Sequence, residues 1–143
     1  MMLFCDTSAL MKLYVNEVGS VQMVALAKSA TSIFVAEITW VEMRAALAQR
    51  VRLQTTPSHS ADEALDRLRA EWSQFQKIAA DAKLLDIAGD LAAAFGLRAY
   101  DSVQLAAASA VHKATAGQMQ ICCFDKQMNV AAKVLGMTVF SGE

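Results

Sequence analysis

Two short apolar runs each end at or next to an aspartate: Leu3-Phe4-Cys5-Asp6 and Ile121-Cys122-Cys123-Phe124-Asp125. Helical periodicity starts immediately after each acid. An unbroken apolar run of this length is the mark of a strand buried on both faces, and such strands belong to parallel sheets covered by helices. In a parallel sheet every strand-to-helix turn lies on the same edge. If both runs are strands, Asp6 and Asp125 must share that edge, although most of the chain lies between them.

The remaining pattern supplies the rest of the sheet. Ser32–Ala36 is a second β-type run, Gln76–Ala79 a weak third, and Met137–Phe140 a last one after the strand at Met119–Phe124. Between them the apolar spacing turns helical. Leu10, Leu13 and Tyr14 begin one helix, and Val21, Val24 and Ala25 another after Gly19-Ser20. Glu37 to Leu53 carries Ile38, Val41, Ala45 and Ala48 on one stripe, and Ser60 to Phe75 repeats Leu65, Leu68, Trp72 and Phe75. Helices are also expected from Asp81 to Phe95, with Gly96 as the stop, from about Arg98 to His112, and over Met128 to Leu135. Strands alternating with helices predict one domain over residues 1–143, a three-layer α/β/α sandwich around a parallel sheet of about five strands.

Thirteen basic against 14 acidic side chains leave a net charge of −1, so no global positive field draws in nucleic acid. A polyanion would have to be met by local cations, for which Lys12, Arg44, Arg50, Arg98 and Lys126 are the candidates. Cys5, Cys122 and Cys123 lie in apolar runs without a CxxC spacing and read as reduced core thiols. No stretch approaches the roughly 18 apolar residues of a membrane helix. The N-terminus also lacks a basic leader, so a cytoplasmic location is expected.

Four acids carry the chemistry. Asp6, Asp101 and Asp125 can each be read as helix caps, Asp101 through a capping-box-like Asp101-Ser102-Val103-Gln104. Glu42 is different, since its spacing from Ile38, Ala45 and Ala46 leans it toward an apolar stripe, where a carboxylate is costly unless answered. Crowded carboxylates raise one another's pKa unless a cation holds them ionised. An all-oxygen set suits Mg²⁺ or Mn²⁺, and that ion's charge suits phosphodiester hydrolysis. A competing possibility is a protein of the same fold whose acids only cap helices. Aspartyl-phosphate chemistry fits less well, because position 8 is Ser8 where a second acid is usual.

At these residues the chain resembles the PIN-domain ribonucleases, and among them the VapC-type toxins of toxin–antitoxin pairs. Phe4-Cys5-Asp6-Thr7-Ser8-Ala9-Leu10 resembles the family's opening motif, and Thr39-Trp40-Val41-Glu42-Met43-Arg44 its second acid. Arg98-Ala99-Tyr100-Asp101-Ser102-Val103-Gln104-Leu105-Ala106 is the most specific match, and Phe124-Asp125-Lys126-Gln127-Met128-Asn129 the fourth. Cys123 departs from the Thr or Ser that many relatives carry there. The resemblance implies a five-stranded parallel sheet and Mg²⁺ or Mn²⁺ held by Asp6, Glu42, Asp101 and Asp125. It further implies RNA as substrate, a homodimer and a cognate antitoxin. Thr7 and Ser8 could join the metal shell or simply start the helix.

Overall fold

A computed structural model describes residues 1–140 of the chain. Five strands alternate with seven α-helices: β1 (Met2–Cys5), α1 (Thr7–Tyr14), α2 (Ser20–Ser29), β2 (Ser32–Ala36), α3 (Thr39–Arg52), α4 (Ser58–Glu71), β3 (Gln76–Ile78), α5 (Ala82–Phe95), α6 (Ala99–Ala114), β4 (Met119–Cys122), α7 (Lys126–Val134) and β5 (Thr138–Phe140). A single 3₁₀ turn, Trp72–Gln74, links α4 to β3. All strand pairings are parallel, in the order β3-β2-β1-β4-β5. The expected sheet is therefore present, including the short β3 on its edge.

Strand alternation divides the core into two. Leu3, Cys5, Val35 and Cys122 face α1 to α4, packing with Leu10, Met23, Met43 and Leu68. Phe4, Ala36, Ile121 and Cys123 face the other way, onto Leu105, Ala108 and Met128 of α6 and α7. The alanine-rich α6 packs against α5 through Leu84, Ala88, Val103 and Ala106, the two alanines letting the helices approach closely. The three thiols are free and buried, as their apolar neighbours required. Trp40 and Trp72 pack against each other with ring centres 5.3 Å apart and planes tilted by 57°, which commits them to packing rather than to a ligand.

Helix α3 departs from its expected orientation. It opens at Thr39, and its buried residues are Thr39, Met43 and Leu47. Ile38 is half-buried just ahead of it, while Val41, Ala45 and Ala48 lie exposed. Alanine and valine are compatible with either face, so the longer Met43 and Leu47, which fill the space over α1 and α4, decide the rotation. An apolar strip on α3 is left uncovered.

Candidate active site

The sheet reverses its direction of growth at β1, which pairs with β2 on one side and β4 on the other. Open α/β sheets bind ligands at such a reversal, beyond the carboxyl ends of the strands. Cys5 pairs with Cys122, and the Asp6 N–H extends the ladder by donating to the Cys122 carbonyl at 3.1 Å. Asp6 is thereby fixed at the mouth of the reversal. Its carboxylate caps α1, with Oδ1 accepting from Ala9 N at 2.9 Å and Ser8 Oγ at 2.7 Å. Asp125 caps α7 in the same manner, accepting from Met128 N at 3.0 Å.

Asp6, Glu42, Asp101 and Asp125 line one cleft of about 310 Å³. Helix α3 brings Glu42 to it and α6 brings Asp101. Asp101 is not the cap that its local pattern indicated: α6 starts two residues earlier at Ala99, and no side chain caps that end. Its carboxylate lies within the first turn, half-buried, where the helix dipole favours negative charge.

Burial pushes the Asp6 carboxyl above its ordinary range, and the Glu42 charge adds to this, while bonds from Cys123, Ser8 and Ala9 pull it back. Burial likewise raises Asp101, helped by the neighbouring Asp125 and opposed by Arg98. None of the four acids forms an ion pair among the described residues. Arg50 lines the cleft but is held by Glu17 at 3.0 Å, and Glu17 also holds Lys12 at 3.8 Å; Lys12 further lies 4.4 Å from the centre of the Phe124 ring.

What answers Glu42 is a set of neutral donors. Its Oε1 accepts from Thr7 Oγ1 at 2.9 Å and from Gln104 Nε2 at 2.7 Å. The Gln104 amide nitrogen also lies 2.8 Å from Thr39 Oγ1 and 3.2 Å from Thr7 Oγ1, so one buried side chain ties α1, α3 and α6 together behind the cleft. Gln104 and Thr39 escape sequence reasoning, because an uncharged residue in a helix interior carries no mark of a distant partner. Thr7 and Ser8 do more than start α1: Thr7 holds Glu42, and Ser8 links Asp6 to the backbone N–H of Phe124 at 3.0 Å. Cys123, which stands where the resemblance leads one to expect a hydroxyl, accepts through its Sγ from Asp125 N at 3.3 Å.

Four unpaired carboxylates with hydroxyl and amide groups form an all-oxygen surface suited to a hard divalent cation. No three of the acids, histidines or cysteines among the described residues are grouped closely enough to ligate one ion together. The fit is therefore to an ion such as Mg²⁺, which makes one or two carboxylate contacts and keeps much of its water. His59 and His112 lie outside the cleft lining.

Residues 3–134 match the PIN domain family. The chain belongs to that family. It is 30% identical to Ribonuclease VapC45 of Mycobacterium tuberculosis over 139 residues, covering 96% of this chain and 94% of that protein. Among solved structures, a toxin-antitoxin complex from Klebsiella pneumoniae superposes with a TM-score of 0.65 at 19% identity, over 100% of this chain and 98% of that one. FitAcB from Neisseria gonorrhoeae does so with 0.66 at 17%, over 99% and 98%. The PIN-like α/β fold expected from the sequence is thus the fold of this chain. Among the described residues no helix is long and apolar enough to cross a membrane.

Proposed function

We propose that this chain, acting as one domain over residues 1–143, is a metal-dependent endoribonuclease and the toxin of a toxin–antitoxin pair. The observation that carries the proposal is the meeting of Asp6, Glu42, Asp101 and Asp125 in one cleft, none of them in an ion pair among the described residues. A non-catalytic module would account for Asp6 and Asp125 as helix caps. It leaves Glu42 and Asp101, which cap nothing, without a purpose.

In this mechanism Asp6, Glu42, Asp101 and Asp125 would hold Mg²⁺ or Mn²⁺. The ion supplies charge neutralisation at a scissile phosphodiester and Lewis acidity for attack by water. The protein's own part is placement. Ser8 and the α1 backbone fix Asp6, while Gln104 and Thr7 hold one oxygen of Glu42 and leave the other for the cleft. Asp101 and Asp125 lie near enough to repel, and a bound cation would relieve that repulsion.

The relatives' names support RNA as substrate and an antitoxin as partner; a homodimer and a cytoplasmic location complete the proposal. The test is cleavage of a single-stranded RNA by purified protein with Mg²⁺ or Mn²⁺, with chelator, and with a folded Asp101→Ala variant prepared identically. Cleavage by the parent alone, lost on chelation, is the expected result. Equal cleavage by the variant would remove the assignment.

A further inference from the structure

The uncovered strip of α3 borders the acid cleft. A second, more open groove of about 580 Å³ shares Thr7, Glu42 and Ala46 with it and continues along Val41, Ala45, Gln49 and Arg52 to the ring of Tyr100. Val41, Ala45, Gln49 and Arg52 recur at steps of four, four and three, which makes them one face of α3. Val41 is 58% exposed and Tyr100 is 66% exposed. Tyr100 lines this second groove, and the next residue, Asp101, lines the acid cleft. Arg52 forms no ion pair among the described residues, in contrast to Arg50 and Arg67, which Glu17 and Glu71 engage.

Carboxylates for a cation in the adjoining cleft, an apolar floor with an exposed aromatic ring, and a guanidinium without an ion pair among the described residues supply partners for the phosphate and base groups of a single strand. Glu42 and Arg52 are ten residues apart, about 15 Å along the helix axis, which is room for more than one nucleotide. We infer that this groove is a nucleotide subsite of the cleft, in which Tyr100 stacks on a base beside the scissile phosphate and Arg52 holds a phosphate further along the strand. Stacking on a π-face accepts every base, and Gln49 lies on the groove floor where it can address a base edge. The inference rests on the nuclease function proposed above and names the part of that site which grips the strand.

Affinity for a 5′-fluorescein, 2′-O-methyl single-stranded oligoribonucleotide, which is not cleaved, tests it by anisotropy on the full chain with Mg²⁺ present. Tyr100→Ala is expected to weaken binding about 5- to 150-fold and Tyr100→Phe to restore it to within about twofold of the parent. Arg52→Ala should weaken binding and lower the salt slope by about one. Sedimentation of the same variants follows self-association. Parent-like affinity in Tyr100→Ala overturns the subsite, as does a change in self-association with RNA affinity intact, which would make the strip an interface between copies. A parent protein that neither binds the oligonucleotide nor cuts RNA would remove the nuclease function itself, and the subsite with it.

Discussion

Replacing Gln104 by leucine separates the hydrogen bonding behind the cleft from the acids in front of it. Gln104 is 2% exposed, and its amide nitrogen reaches Glu42 at 2.7 Å and Thr39 at 2.8 Å. Losing a bond to a charged acceptor costs about 1.5–3 kcal/mol, and leaving the fully buried Thr39 hydroxyl with only the long 3.5 Å bond from Thr7 Oγ1 costs about 1 kcal/mol more. Against this, the Gln104 carbonyl oxygen is buried without a partner, and its removal returns about 1–2 kcal/mol. The net loss is about 1–3 kcal/mol, read as a drop of about 3–12 °C in the thermal midpoint. The functional loss is larger than that modest figure implies, because Glu42 retains only Thr7 to orient it. Partners of metal-binding side chains are typically worth about 10–100-fold in metal affinity or activity. Mn²⁺ titration by calorimetry and RNA cleavage on the same preparation measure both. Gln104→Glu preserves volume but sets a second carboxyl against Glu42, so its deficit should grow as pH rises and the shared proton leaves. Parent-like Mn²⁺ affinity and cleavage in both variants would show that the amide does not position Glu42.

Three further outcomes follow from the geometry. Asp101→Asn should bring RNA cleavage to the no-enzyme level while raising the thermal midpoint of the cation-free protein, since it removes a half-buried charge that faces Asp125; a lower midpoint would mean that Asp101 stabilises the fold. The Asp101 carboxyl titrates above its ordinary 3.8. Its stabilising, protonated form is fully present below about that pH and is lost as pH rises through the shifted value. Melting curves across this window should therefore show the gap between Asp101→Asn and the parent opening with pH and closing on addition of Mn²⁺. Gly19→Ala should cost about 1–3 kcal/mol in chemical denaturation, because Gly19 has φ +92° and a Cβ there would lie 3.0 Å from Phe124 and 3.1 Å from Lys12.

Features with local causes were legible in the sequence. The runs ending near Asp6 and Asp125 contain strand, turn and cap within ten residues, and both caps form as their residue types require. The edge strand β3 was visible only faintly, since Gln76 and Lys77 are exposed and only Ile78 is partly buried. The rotation of α3 was not legible, because Ile38, Val41, Ala45 and Ala48 make as good a stripe on paper as Thr39, Met43 and Leu47. Only the shape of the surface beneath α3 distinguishes them. The alternative reading of Asp101 as a cap fails for a related reason: Asp-Ser-Val-Gln has the cap pattern, yet α6 begins at Ala99, close to the start expected at about Arg98, and Asp101 falls inside its first turn.

Gln104 shows why a site of this kind exceeds what its motifs contain. The four acids supply charge, and a list of acids predicts mutual repulsion. Their arrangement depends on neutral groups: Ser8 at Asp6, Thr7 and Gln104 at Glu42, and Cys123 between Asp6 and Asp125. A lysine or arginine in any of these places would also satisfy a carboxylate, but it would cancel the charge that attracts a cation. Neutral donors fix each acid's direction and leave its charge uncompensated. Where this chain does place a cation in the cleft lining, at Arg50, Glu17 pairs with it and with the nearby Lys12. Glu17 thereby offsets the positive charge that Arg50 brings to the cleft, from outside the set of four acids.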